Sequence, residues 1–76
     1  MILEVGRVCK KVRGRNAGEL CVVIKKPEKK RVLVEGRTIK RKEVNIMHLE
    51  PLPVVLKIKK EPPREELLKA LEEAGF

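Results

Sequence analysis

The sequence predicts a small all-β barrel of about five short strands, followed by a short C-terminal α-helix. Three observations support this prediction. A chain of 76 residues has room for one small domain with a modest core. Short runs rich in β-branched residues recur between turn signals about every 8 to 12 residues, as they do in all-β barrels. Only the last segment changes from an alternating to a helical period.

The first three strands form the centre of the predicted barrel. Apolar and polar residues alternate from Arg7 onward, and runs rich in β-branched residues follow at Leu20 to Ile24 and at Val32 to Val34, the latter within a third strand predicted from Arg31 to Glu35. Glycines bracket the turn from Gly14 to Gly18, because glycine reaches positive φ freely and permits a sharp reversal and a close backbone approach. A lysine-rich turn at residues 27–30 joins the second and third strands, with proline in an early position.

The remaining barrel elements are less regular. A fourth strand is predicted from Thr38 to Val44, with Ile39 directed inward. Residues 45–51 are expected to close the barrel with a short turn or 3₁₀ segment to which Ile46, Met47 and Leu49 supply apolar atoms, and Pro51 is expected to end regular pairing. A fifth strand is predicted at residues 53–60, at a sheet edge because its flanking prolines are tolerated there. Residues 1–5 are expected to start the first strand or to cross the barrel mouth.

The tail has the period of a helix. Pro62 and Pro63 precede apolar positions at 67, 68, 71 and 74, and Gly75 fits a C-terminal stop. A helix of about 12 residues is marginal alone in water, so its leucine stripe is either packed on the barrel or ordered by a partner. The predicted units are a barrel at residues 1–60 and a helical tail at residues 61–76.

The charge points to a polyanionic partner. The net charge is +8, and all of this excess lies in residues 1–50, which hold fourteen Lys and Arg against six Glu. Phosphate is the expected charge on the partner. Phe76 is the single aromatic residue, so recognition by base stacking on aromatic platforms is excluded and sequence discrimination should be weak. No apolar run approaches the roughly 20 residues of a membrane span, and we expect an intracellular, cytoplasmic protein.

Basic residues crowd the predicted turns and are the candidate phosphate contacts. Arg13 and Arg15 flank Gly14, where guanidinium groups can fork onto phosphate oxygens. Around the second turn, Glu28 is the only acid that offsets five cations. The candidates from charge alone are Lys10, Lys11, Arg13, Arg15, Lys25, Lys26, Lys29, Lys30, Arg37, Lys40, Arg41 and Lys42.

The residues that could support chemistry are few. His48 is the single histidine, and the chain has no Ser or Asp, so we expect a structural or phosphate-facing histidine and no enzymatic activity. Cys9 and Cys21 lie in adjacent strands of the predicted hairpin, are expected to be spatial neighbours, and have three interpretations. A zinc site lacks a fourth ligand and any C-x-x-C spacing. A disulfide is the second interpretation, and two buried small hydrophobic residues the favoured one. No metal, cofactor or small-molecule substrate is expected.

A resemblance to a known family rests on several segments. Residues 8–34, with Gly18 in the tight turn, resemble the KOW motif of several ribosomal and transcription-elongation proteins. With their flanks, residues 3–53 are similar to the archaeal and eukaryotic ribosomal large-subunit protein fourteen family, in its short archaeal form. The flanking and internal segments that carry the resemblance are Glu4 to Cys9, Gly14 to Gly18, Cys21 to Val23, Lys40 to Lys42 and Asn45 to Pro51.

The resemblance implies an SH3-like barrel that binds large-subunit ribosomal RNA as a structural component, beside neighbouring ribosomal proteins. It implies that Gly18 is the motif glycine and that Arg13 to Asn16, Asn16 included, form the loop presented to RNA. Lys40 to Lys42 and His48 are implied to belong to a basic element after the third strand. Residues 54–76 match the family less clearly.

Two other hypotheses remain open. One is a KOW-type protein-interaction module in transcription or translation, which would use the leucine-striped helix and a barrel edge. The other, a chromatin-type DNA binder, is disfavoured because the sequence shows no exposed apolar wedge of the kind that such proteins insert between base steps.

Overall fold

The protein was analysed as a computed structural model, which describes residues 3–76. The predictions for Met1 and Ile2 lie outside these residues, and Leu3 packs against the core. In chain order the elements are β1 (Arg7–Lys11), β2 (Leu20–Val23), β3 (Arg31–Glu35), β4 (Lys42–Asn45), a 3₁₀ turn (Ile46–His48), β5 (Leu49–Val55) and α1 (Arg64–Glu73). No helix within this described part has the length and apolar character needed to cross a membrane.

The five strands form one antiparallel sheet in the order β4-β3-β2-β1-β5. The two strands at the edges of the sheet, β4 and β5, are consecutive in the chain and are joined by only the three residues of the 3₁₀ turn. In a flat sheet those edges would lie about 19 Å apart, whereas the link from Asn45 to Leu49 spans about 14 Å at full extension. The sheet must therefore curl until its edges approach each other. The predicted fold class, a small SH3-like barrel with a C-terminal helix, is confirmed.

The core has two parts because both faces of the central strands are buried. Successive side chains of a strand point to opposite faces. Cys9 and Cys21 accordingly belong to a cluster inside the barrel, while Val8 and Val22 belong to a second cluster on the outer face. Leu67 and Leu71 of α1 complete the second cluster and have 0% and 3% of their surface exposed. The leucine stripe is thus packed on the barrel.

The helix matches its prediction closely. It begins at Arg64, directly after Pro63, and its last turn ends where Gly75 adopts a φ of 89°. The backbone N–H of Phe76 donates to the carbonyl of Leu71 at 2.9 Å, which closes the C-terminus in the way that a positive-φ glycine permits.

Two strand predictions were wrong. The fourth strand begins at Lys42, because the Gly36 N–H donates to the Ile39 carbonyl (2.8 Å) in a turn that delivers Ile39 to the core. The fifth strand is Leu49–Val55, which begins four residues and ends five residues earlier than predicted, and Pro51 is paired with Cys9 instead of ending the pairing. Because β5 bonds to β1 alone, its prolines need no second partner, and the predicted edge position is confirmed. After Val55 the apolar residues still alternate, but they do not form a strand. Leu56 and Ile58 pack instead in the outer cluster, to which α1 contributes Leu67 and Leu71.

Candidate nucleic-acid interface

Three loops carry most of the candidate cations: loop A (residues 12–19), loop B (residues 24–30) and loop C (residues 36–41). Loops A and C meet at the carboxylate of Glu19. One of its oxygens accepts from Asn16 Nδ2 (3.1 Å) and from Thr38 Oγ1 (2.7 Å). Lys42 Nζ, at the start of β4, donates to Asn16 Oδ1 at 3.3 Å. Loops A and C therefore present one continuous surface.

Loop A reverses the chain through three residues at positive φ. These angles are 76° at Gly14, 70° at Asn16 and 92° at Gly18. The Gly18 N–H donates to the Lys11 carbonyl at 2.6 Å, which fixes the base of the loop. No atom of the described chain would lie within 4 Å of a Cβ added at Gly18, so its backbone angle, and not internal crowding, requires glycine there. The sharp reversal predicted for the two glycines is confirmed.

The cations of loop A and its flanks divide into two groups. Arg13 and Arg15 are exposed, and their guanidinium groups make no hydrogen bond or ion pair within residues 3–76. Lys10 is also exposed, on β1. By contrast, Lys11 is buried, with 5% of its surface exposed, and its ammonium donates to the backbone carbonyl of Arg15. Together with the half-buried Lys42, it braces loop A from beneath. Sequence reasoning had treated all of these cations alike.

Loop C directs two of its three cations toward the tail. Arg37 Nε donates to the carbonyl of Phe76 (3.1 Å). Arg41 bonds to the Glu35 carboxylate (2.9 Å) and to the carbonyl of Pro62. Lys40 is exposed and makes no such contact among the described residues. Of the predicted contacts in this loop, Lys40 is the one whose charge is unengaged.

Loop B is a second basic surface. Lys26, Lys29 and Lys30 are exposed and Lys25 is half-buried. The turn is closed by reciprocal backbone hydrogen bonds between Glu28 and Arg31, at 2.8 and 3.0 Å. The Glu61 N–H donates to the Ile24 carbonyl (2.8 Å), and Lys60 lines a groove with Lys25 and Lys26. Sequence reasoning missed Lys60, because the tail is neutral as a whole and no local signal shows that its start returns to loop B.

The 3₁₀ turn lies between loops A and B. Its first residue, Ile46, donates its N–H to the Lys30 carbonyl (2.9 Å), and the carbonyl of His48 accepts from the Val12 N–H (2.8 Å). His48 is half-buried. Met47, which was predicted to supply apolar atoms to the barrel closure, is instead 76% exposed. That prediction for Met47 was wrong.

The two cysteines lie directly opposite each other in β1 and β2, and both are free and fully buried. Burial raises the pKa of the Cys9 thiol to about 11, against a smaller lowering by Arg7. Burial, with a further contribution from Cys9, raises the pKa of the Cys21 thiol to about 12. No three His, Cys, Asp or Glu residues among positions 3–76 are grouped as metal ligands would be. The cysteines occupy the core as small hydrophobic residues, as the favoured interpretation had it.

Comparison with known proteins finds relatives that all carry one name, the large ribosomal subunit protein eL14. The chain is 46% identical over 78 residues to the large ribosomal subunit protein eL14 of Saccharolobus islandicus, covering 97% of this chain and 81% of that protein. It is 46% identical over 79 residues to eL14 of Aeropyrum pernix, covering 99% and 79%. It is 44% identical over 78 residues to eL14 of Hyperthermus butylicus, covering 97% and 80%. No protein-family model matches the chain.

These alignments span nearly the whole chain, including the tail that the sequence resemblance left less clear. They also span loops A, B and C and the helix that packs against the outer cluster. The chain belongs to the family of the large ribosomal subunit protein eL14.

Proposed function

We propose that this protein is a structural, non-enzymatic constituent of the large ribosomal subunit in the cytoplasm, and that it binds ribosomal RNA through loops A and B. The observation that carries the proposal is the state of Arg13 and Arg15. Both guanidinium groups are exposed and unengaged within residues 3–76, on a loop that Lys11 and Lys42 hold from within. A braced loop with free cations loses little conformational entropy when it meets phosphate.

Phosphate contacts account for the expected binding. Arginine presents a planar fork that matches two phosphate oxygens, and lysine contributes as a point charge. On loop B the exposed Lys26, Lys29 and Lys30 extend the same kind of contact. Such contacts fix the position of the protein on RNA and carry little sequence information. We propose that neighbouring ribosomal proteins complete the environment of the bound chain.

The protein-interaction hypothesis ranks second. It relied on the leucine stripe of the tail, and two of its three leucines, Leu67 and Leu71, are buried against the barrel, while Leu68 is half-buried. Val55 and Ala74, which line one depression beside α1, are exposed, Val55 with 44% of its surface. Side chains of this size offer a small apolar surface for a stable protein contact.

The first experiment follows a tagged copy of the protein in its native cells through sucrose-gradient sedimentation and a salt wash. We expect it to travel with large ribosomal subunits at low salt and to leave them as the salt concentration rises. About six phosphate contacts would weaken RNA binding by on the order of 10²- to 10³-fold between 50 and 200 mM salt. Recovery in a complex that lacks large-subunit RNA, at all salt concentrations, would contradict the proposal and favour the interaction module.

A further inference from the structure

Met47 is held outward by a rigid turn. The backbone of the 3₁₀ segment is anchored on both sides, to Lys30 at 2.9 Å and to Val12 at 2.8 Å. Asn45 caps the segment, and its Oδ1 accepts the Met47 N–H at 2.9 Å. A side chain that is 76% exposed on an anchored turn is presented to solvent by the fold itself. Val12, linked by its N–H to the end of the turn, is 41% exposed and adds a second apolar group.

The surroundings of this apolar point are mostly cationic. Arg13 follows Val12 directly, Lys30 contributes the carbonyl that anchors Ile46, and Arg31 is paired across the sheet with Asn45. Three glutamates of the described chain lie nearby, and each has a cationic neighbour. Glu50 stands opposite Lys10 in the β1–β5 ladder, and Glu28 and Glu43 line a depression with Lys29, Lys30 and Arg31. A partner that fits here must offer negative charge around an apolar face.

We propose that Met47, with Val12, contacts the flat face of an unpaired RNA base whose flanking phosphates bind Arg13 and Lys30. This inference rests on the proposed function and names the kind of RNA structure that the interface selects. Bases in a duplex stack on each other, so a face becomes available only at a bulge, a loop or a helix end. A thioether makes favourable contacts with aromatic rings, which lets methionine replace the aromatic platform that this chain lacks.

Methyl NMR of the full-length protein tests the contact directly. The chain has two methionines, and the Met47→Leu variant assigns the Met47 methyl signal. The probes are an RNA hairpin with a single-adenosine bulge and a matched hairpin that is fully paired. We expect an upfield ring-current shift of the Met47 methyl signal with the bulged RNA and a smaller shift with the paired RNA. Phe76 does not account for such a shift, because it packs in the outer cluster beside α1.

Affinity for isolated large-subunit RNA supplies a second readout. Met47→Ala should weaken binding about two- to tenfold by the same factor at every salt concentration, because the lost contact is apolar. Met47→Leu should retain most of the affinity, and Val55→Ala, at an exposed position of β5, serves as the matched control.

The outcomes separate this inference from the proposed function. Wild-type binding with an unmoved methyl signal and an unchanged affinity for Met47→Ala would overturn the inference and leave the function intact. Unchanged RNA affinity combined with weaker retention on whole subunits would assign Met47 to a protein neighbour and also overturn it. Loss of all RNA binding in the wild type would overturn the proposed function itself.

Discussion

The Glu35 carboxylate and the Arg64 guanidinium are 29 positions apart in the chain, yet their atoms lie 2.8 Å apart where the helix meets the barrel. The second carboxylate oxygen of Glu35 bonds to Arg41 at 2.9 Å. Arg64 also donates to the carbonyls of Gly36 (3.0 Å) and Arg37 (2.8 Å). One buried carboxylate thus connects β3, loop C and α1, so the orientation of loop C depends on helix docking.

Replacing Glu35 by Gln should destabilise the protein by about 2 kcal/mol. Removing one member of a buried ion pair leaves the other uncompensated, which costs several kcal/mol when both are buried. Here Arg41 and Arg64 are 37% and 44% exposed, so water recovers part of the loss. Urea unfolding followed by circular dichroism measures the change. Glu66→Gln is the control, because the 3.9 Å pair of Glu66 with Lys59 is exposed and should contribute less than about 0.5 kcal/mol. Equal effects of the two variants would contradict the predicted role of Glu35.

Replacing Arg13 and Arg15 together by Gln should weaken RNA binding without changing the unfolding midpoint. Two lost phosphate contacts should lower the slope of log Kd against log salt concentration by about 2. Filter binding to large-subunit RNA at several salt concentrations measures the slope. The matched control is Lys57→Gln with Lys69→Gln, two exposed cations outside loops A, B and C. An unchanged slope for the loop A variant would place the RNA on another face.

Gly36→Ala should be more destabilising than Gly18→Ala. A Cβ at Gly36 would lie 2.4 Å from the backbone carbonyl oxygen of Leu20, so the ends of β2 and β3 would have to separate. We expect a cost of about 3 kcal/mol, at the upper end for overpacking. At Gly18 the space is open and only the φ of 92° is strained, at about 1 to 2 kcal/mol. Thermal unfolding of the two variants gives the order, and a reversed order would refute it.

The thiols should make stability fall at alkaline pH. Below the ordinary thiol pKa of 9.0, both folded and unfolded chains carry neutral thiols and their pH dependence cancels. Above it, the unfolded chain releases protons that the folded chain retains until about pH 11 and 12, so the free energy of unfolding decreases as pH rises. Urea unfolding between pH 8 and about pH 10.5 measures the decrease.

The control for this effect is the double variant Cys9→Ala with Cys21→Ala, which lacks both thiols. Its stability should decline less steeply over the same pH range, and identical slopes would contradict the prediction. In addition, a thiol reagent should find two free thiols after denaturation and react slowly with the folded protein near pH 8, because the thiolate is the reactive form.

Local patterns predicted β1 to β3 and α1 within a few residues. Gly14 and Gly18 indicated a turn, and the spacing of Leu67 and Leu71 indicated a helix. Both conformations depend mainly on residues that are neighbours in the sequence. The fifth strand was misplaced because Val54 to Ile58 alternate as a strand does. That alternation reflects packing against a helix, and a single strand's pattern does not reveal what covers it.

By itself, the sequence determined that this protein is a small basic β-barrel with a helical tail, because short-range periodicity, turn residues and net charge are properties of neighbouring residues and composition. The tertiary structure alone decided how the charges are used. It turned Lys11 and Lys42 inward to brace loop A, engaged Arg41 with Glu35, and left Arg13, Arg15 and Met47 facing solvent. The physical reason is that a side chain's burial and partners depend on which distant segments the closed sheet brings beside it.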